Sequence, residues 1–137
     1  MTKWKKNTVW LTGGTGLLVG SYFFWSWVGS FFSSMCGAQP YKSIISPNNE
    51  HVAVIFQYDC GATTGFSTQV SILESGETLG NESGNVYISK GHPDTVAPIV
   101  TWVNSEQLNI QNVAQTQIYK QDEYWGWPWN EISITYN

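Results

Sequence analysis

The two cysteines, Cys36 and Cys60, are the residues whose spacing most directly suggests chemistry. In an oxidising compartment they would form one disulfide that closes a loop of about 25 residues, which contributes roughly 3 kcal/mol in the loop-entropy model. The alternatives are two unpaired structural cysteines or a nucleophilic Cys60. Asp59 precedes Cys60, and because a neighbouring carboxylate raises the pKa of a thiol, it disfavours a nucleophile. The sequence therefore favours the disulfide.

Histidine chemistry is limited to His51 and His92. A zinc site needs three or four ligands, and the Cys, His and Asp residues of this protein show no recognised ligand spacing. No nucleophile-elbow motif accompanies the histidines, and His92 beside Pro93 is typical of a surface turn. We therefore predict no catalytic residue, no metal site and no cofactor.

The segment 59–68 (DCGATTGFST) is rich in small and hydroxyl side chains. It could be a loop that binds a partner or ligand through its hydroxyl groups. It could also be a wide hairpin connection whose Asp and Thr side chains bond to the local backbone, and we favour this second interpretation. The candidate contact residues for the first interpretation are Asp59, Thr63, Thr64, Phe66 and Ser67.

A second unusual segment, Tyr124-Trp-Gly-Trp-Pro-Trp129, contains four aromatic residues in six. It could cap the core, lie on a membrane surface, or bind a partner or a sugar ring through exposed aromatic side chains. The flanking acidic residues disfavour an anionic lipid surface. The candidate aromatic contacts are Tyr124, Trp125, Trp127 and Trp129.

The elements that would position these residues begin with a charge-free run over residues 8–32. About 20 apolar residues cross a bilayer core, so the run predicts a transmembrane helix. Its length and its bulky Trp25 and Trp27 favour a retained signal anchor over a cleaved signal. Met35 before Cys36 does not fit a lipobox. Gly16 and Gly20 form a GxxxG spacing that suits helix association, either in a homo-oligomer or with a partner helix.

Charge is distributed unevenly around this run. Three lysines precede it, whereas three lysines and all ten acidic residues follow it, a formal charge of −7. The positive-inside rule therefore predicts a cytoplasmic N-terminus and an extracytoplasmic domain. An acidic domain without a basic patch argues against nucleic-acid binding. Membrane lipid and another membrane or envelope protein are the expected partners.

The rest of the sequence shows β patterning. Alternating apolar residues over 51–58, 66–73 and 131–136, separated by Gly, Pro and Asn turns, predict a small antiparallel β domain, a sandwich or a blade-like sheet. In the first of these strands one face carries Val52, Val54, Phe56 and Tyr58 and the other Ala53 and Ile55, and in the second Val70 and Ile72 point inward. Residues 74–85 are expected to form a polar, Gly-rich loop. The expected fold is thus mainly β after one N-terminal transmembrane helix. The expected organisation is a tail over 1–7, the helix over 8–32, a linker over 33–40 and the β domain over 41–137.

The run DCGATTGFSTQVSI, with Ser46-Pro47, Gly91-His92-Pro93 and a later Trp102, resembles a family of small bacterial envelope proteins. Some members carry a lipobox and others an N-terminal membrane helix, and the family is functionally uncharacterised. The resemblance covers about residues 36–108. It implies a bacterial envelope location and no activity. Together with the predicted helix and the positive-inside rule, the expected location is the bacterial inner membrane, with the domain in the periplasm.

The expected function is that of a non-catalytic single-pass membrane protein, an accessory or interaction module of a membrane complex or envelope process. The alternative is a membrane-tethered immunity protein or inhibitor of a secreted toxin or lytic enzyme, for which an acidic domain would suit a basic target. An envelope enzyme is a third possibility.

Overall fold

The computed structural model describes residues 18–27, 36–61 and 65–137. The protein divides into two compact units, Met1–Met35 and Cys36–Asn137, each of which is described by itself.

Residues 18–27 of the first unit form a helix, α1. Within residues 18–27, 36–61 and 65–137, no helix is long and apolar enough to cross a membrane. The transmembrane helix predicted over residues 8–32 is therefore wrong. Gly20 lies in α1, whereas Gly16, the other half of the association motif, lies outside the described residues.

The second unit is built from strands. The elements in sequence order are β1 (Gly37–Ile45), β2 (His51–Asp59), β3 (Ser67–Glu74), β4 (Tyr87–Lys90), the short helix α2 (Pro93–Val96), β5 (Ile99–Asn104), β6 (Gln107–Gln111), β7 (Ile118–Gln121), β8 (Tyr124–Trp125) and β9 (Ile132–Tyr136). The mainly β domain expected from the alternating pattern is present. Its first strand begins at Gly37, within the segment 33–40 that the sequence suggested as a linker.

The strands form two sheets. The first is antiparallel with the order β1-β2-β3-β4-β7, and the second has the order β5-β6-β9-β8. The second sheet departs from the expected antiparallel pairing, because β6 and β9 are parallel. Between β6 and β9 the chain crosses to the first sheet, where it forms β7, and then returns to the second sheet, where it forms β8. This excursion lets β9 run in the same direction as β6.

A common core receives side chains from both sheets. The fully buried members include Ile55, Ile72, Tyr87, Leu108 and Ile110. They come from β2, β3 and β4 of the first sheet and from β6 of the second. Val70 and Ile72, which alternation predicted to point inward, are both fully buried. The two sheets therefore form the sandwich that was one of the two expected architectures.

Two aromatic side chains of the second sheet donate hydrogen bonds to backbone carbonyls of the first sheet or of segments next to its strands. Trp102 Nε1 donates to the carbonyl of Ile44 at 2.9 Å, and the Tyr136 hydroxyl donates toward the carbonyls of Asp122 at 2.7 Å and Val86 at 3.0 Å. Burial, reinforced by the nearby Asp122 carboxylate, raises the pKa of Tyr136 well above its usual range. Its hydroxyl therefore stays protonated, and able to donate, to a higher pH than that of an exposed tyrosine.

The opposite face of the first sheet is covered by the polar segment 75–85. Gln69 is buried on this face, where its Oε1 accepts from Gly84 N and from Ser83 Oγ. Asn85 pairs through its side-chain amide with both backbone groups of Ile72, each at 2.8 Å. The Tyr58 hydroxyl donates to the carbonyl of Asn81 at 3.2 Å. The segment 75–85, which the sequence predicted only as a loop, thus forms a cover over this face of the sheet and is held there by hydrogen bonds.

Gly84 lies where this cover approaches the sheet most closely. A Cβ at this position would lie 2.8 Å from the backbone oxygen of Tyr87 and 2.9 Å from Gln69 Cβ. We expect Gly84→Ala to lower the free energy of unfolding by about 2 kcal/mol, as overpacking does. Chemical denaturation measures the change. Gly80→Ala, in the same segment with nothing within 4 Å, is the matched control and should change stability by less than about 0.5 kcal/mol. Equal effects of the two substitutions would contradict the packing.

Candidate functional site

An open pocket of about 350 Å³ lies at one end of the first sheet. We call it the Cys60 pocket, and its principal lining residues are Tyr58, Cys60, Phe66, Lys90, His92 and Tyr119. Tyr58 and Cys60 come from the end of β2, Phe66 from the start of β3, and Lys90 and His92 from the end of β4. Antiparallel pairing brings these ends together, since Tyr58 pairs with Ser67 and Ser67 with Lys90.

The disulfide forms one side of the pocket. Cys36 and Cys60 are bonded at 2.05 Å, which confirms the predicted pairing. They lie next to the pair Gly37↔Asp59, where β1 and β2 meet. The bond therefore closes the end of this strand pair and ties the start of β1 to the pocket wall.

The floor of the pocket is fixed by backbone hydrogen bonds around Gly91. Gly91 N donates to the Phe66 carbonyl at 3.0 Å, and Thr68 Oγ1 donates to the Gly91 carbonyl at 2.9 Å. Gly91 has a φ of +114°, a conformation that other residues rarely adopt. The turn that follows β4 is thus held in one position, and it places His92 over Phe66.

His92 and Phe66 form the aromatic contact at the pocket mouth. Their rings meet edge to face with centroids 5.3 Å apart. His92 Nδ1 accepts from the backbone N–H of Asp94 at 3.1 Å and lies 3.5 Å from the Asp94 carboxylate. In the neutral ring, accepting at Nδ1 leaves the proton on Nε2, and in the charged ring both nitrogens carry protons. His92 Nε2 is therefore a donor in either state.

The five candidate contact residues of segment 59–68 fall into three groups. Phe66 and Ser67 line the pocket. Asp59 instead accepts from the backbone of Gly61 at 2.9 Å, the local bonding expected of a hairpin connection. Thr63 and Thr64 lie outside the described residues. The pocket also contains Lys90, Tyr119 and Tyr58, which sequence reasoning missed because only strand register brings them to this end of the sheet.

The aromatic segment forms a second candidate surface, the Trp loop, residues 124–130. Trp127 and Trp129 stack with centroids 5.4 Å apart and planes 5° apart. Their side chains are exposed, 67% and 80% respectively, and Tyr124 is also exposed. Trp125 differs, because it packs against the core and contacts His51 edge to face at 5.5 Å. One of the four predicted aromatic contacts thus anchors the loop while three face solvent.

His51 was not expected to be buried, yet its side chain is almost fully enclosed. Neither ring nitrogen has a hydrogen-bond partner among the described residues, although Glu74 Oε2 lies 3.4 Å from Nε2. Its contact with Trp125 shows that it serves as part of the support beneath the Trp loop. The only sequence signal for this role is its position at the start of an alternating strand.

The part of the protein that the structure describes contains no group of three or more His, Cys, Asp or Glu residues that could hold a metal ion. The predicted absence of a cofactor stays a prediction.

No family model, curated protein or solved structure matches this sequence. The resemblance of the DCGATTGFSTQVSI run to bacterial envelope proteins therefore stays a prediction.

Proposed function

We propose that this protein is a non-catalytic interaction module that acts outside the cytoplasm and binds a partner protein through the Trp loop. The observation that carries the proposal is the stacked, exposed pair Trp127 and Trp129. Exposed Trp side chains are enriched among the residues that dominate protein interfaces.

The Trp loop is held in a fixed shape, which favours recognition. Asn130 N donates to the Trp127 carbonyl at 2.8 Å and closes a turn. Gly126 enters this turn with a φ of +101°, and a Cβ there would lie 2.6 Å from the Asn130 oxygen. Trp125 anchors the loop in the core. A partner would therefore meet two ordered rings and lose little conformational entropy in binding them.

The charges near the loop indicate the chemistry of the partner. Glu123 and Glu131 flank the loop and are exposed. Asp122 immediately precedes Glu123, and its carboxylate lies 3.4 Å from the ammonium group of Lys120. Acidic groups around an apolar centre suit a partner with an aromatic-accepting cleft and a basic rim. The same acidic rim favours a second candidate function, inhibition of a basic secreted toxin or lytic enzyme.

The disulfide supports the location. Disulfides persist in oxidising compartments and are rare where thiols are kept reduced. With both cysteines committed to this bond, an extracytoplasmic location is the one that fits.

We expect Trp127→Ala and Trp129→Ala each to weaken partner binding by about 30-fold, the effect of losing about 2 kcal/mol at an interface hot spot. The test is quantitative affinity capture with chemical crosslinking from source cells, followed by mass spectrometry and titration of the captured protein. Tyr41→Ala, which removes a half-exposed aromatic residue from β1, is the matched control and should retain binding. A partner that all three variants bind equally would place the interface elsewhere and contradict the proposal.

A further inference from the structure

We propose that the Cys60 pocket binds an aromatic carboxylate, with the apolar ring between its aromatic walls and the carboxylate bound by Lys90 and His92. This site goes beyond the partner binding proposed above, because the pocket and the Trp loop share no residue.

The pocket offers hydrogen-bond donors for an anion. Only three lysines follow residue 36, and Lys120 lies 3.4 Å from Asp122. Within the described residues, Lys90 has no carboxylate within 4.0 Å of its ammonium group, and no Asp or Glu lines the pocket. His92, which also lines the pocket, offers Nε2 as a second donor, while its Nδ1 lies 3.5 Å from the Asp94 carboxylate. A pocket whose one lining lysine has no carboxylate partner among the described residues suits a negatively charged group.

The remaining walls suit an apolar ring. Tyr58, Phe66 and Tyr119 contribute three aromatic side chains, of which Phe66 is 48% and Tyr119 56% exposed. Large apolar side chains exposed around a cavity are typical of small-molecule sites. Aromatic rings favour edge-to-face or offset contacts with another ring. The ring of a bound ligand could make such a contact with Phe66, which already meets His92 edge to face.

The polar groups in the walls argue against a sugar. Ser67 Oγ already accepts from Gln69 Nε2 at 2.8 Å and donates to the Tyr58 carbonyl at 3.3 Å. The Tyr58 hydroxyl is committed to the carbonyl of Asn81. Each hydroxyl of a bound sugar needs a partner, and two of the three wall hydroxyls already donate within the protein, which leaves that of Tyr119. A ring with one carboxylate needs fewer polar partners than a sugar.

The pocket is formed before any ligand arrives. The disulfide fixes its Cys60 side, and the Phe66–Gly91 and Thr68–Gly91 hydrogen bonds fix its floor. Because these groups are already in place, binding costs little conformational entropy. A ligand with few contacts can therefore still bind measurably.

The test is a titration of the full oxidised protein, labelled with ¹⁵N, with 3-phenylpropanoate, followed by NMR. We expect saturable shifts centred on Phe66, Gly91 and His92 with a dissociation constant on the order of 1 mM. 3-Phenylpropanamide, which lacks the charge, should bind at least about 10-fold more weakly, because a charge-assisted hydrogen bond is lost. Equal binding of acid and amide, or no saturable shift at acid concentrations about 20-fold above that dissociation constant, would overturn the proposal. Both results come from the unmodified protein.

Two further arms identify the role of Lys90 and the source of the ligand. Lys90→Met should weaken binding of the acid about 10-fold, the loss of one charge-assisted bond, whereas Lys42→Met, on β1 and outside the pocket, should not; equal weakening would overturn the assignment. A short peptide ending in Phe with a free carboxylate is compared with the same peptide amidated. Preference for the free peptide acid over 3-phenylpropanoate supports a polypeptide carboxyl terminus as the ligand, and preference for the small acid supports a free metabolite.

Discussion

Loss of the Cys36–Cys60 disulfide is expected to lower the free energy of unfolding by about 3 kcal/mol. The two residues are 24 apart in the sequence, and the bond removes the loop entropy of that segment from the unfolded state. For a domain of roughly 100 residues this corresponds to a drop in melting temperature of about 12–20 °C. Most small domains are stable by only about 5–15 kcal/mol, so the loss is a large share of the total.

The measurement is calorimetry of the oxidised protein, of the same protein with reductant, and of a Cys36→Ser/Cys60→Ser variant. The reduced protein and the variant should melt at nearly the same temperature. Reductant added to the variant is the control and should change nothing, since no other cysteine is present. A loss below about 1 kcal/mol would mean that pairing between β1 and β2 already holds this end of the sheet without the bond.

The features that sequence predicted correctly are local ones. Alternation in HVAVIFQY and the buried pair Val70 and Ile72 depend only on the two-residue period of a strand. The disulfide could be predicted because the sequence has two cysteines and therefore one possible pairing. Such inferences need no knowledge of which strands lie side by side.

The features that were missed depend on long-range register. Lys90 and Tyr58 share a pocket only because β3 pairs with both β2 and β4, and no local pattern specifies that arrangement. The parallel pairing of β6 and β9 requires the excursion through β7, which is likewise invisible in composition. The transmembrane prediction relied on the length of a charge-free run, whereas no helix within the described residues is long and apolar enough to cross a membrane.

The clearest case is the second apolar face of the first sheet. Val52, Val54, Phe56 and Tyr58 were predicted to share a face, but the sequence pattern did not show what covers it. The structure covers it with the polar segment 75–85, whose side chains and backbone bond to Gln69, Ser71 and Ile72. Polar composition predicted a solvated loop there because composition does not reveal how hydrogen bonds are satisfied.

Phe56→Ala is expected to lower the free energy of unfolding by about 4 kcal/mol. Phe56 is fully buried, yet it lies outside the core between the sheets, because it alternates with Ala53 and Ile55, which belong to that core. It pairs with Gln69 across the strands, and Gln69 is held by the cover through Ser83 and Gly84. Truncation would therefore leave a cavity beneath a segment that hydrogen bonds hold in place and that cannot readily collapse into it.

Urea denaturation measures this change, and Phe66→Ala is the matched control. Phe66 is the same residue type at the start of the neighbouring strand but is 48% exposed, so its loss should cost no more than about 1 kcal/mol. Phe56→Leu, which retains most of the volume, should cost about 1.5 kcal/mol or less. If Phe56→Ala cost no more than Phe66→Ala, the polar segment would be a loose loop that opens in solution, and the second face would not be a core. A large difference between the two substitutions would instead support a packed apolar face beneath residues 75–85, where hydrogen bonds to Gln69 hold the segment in place.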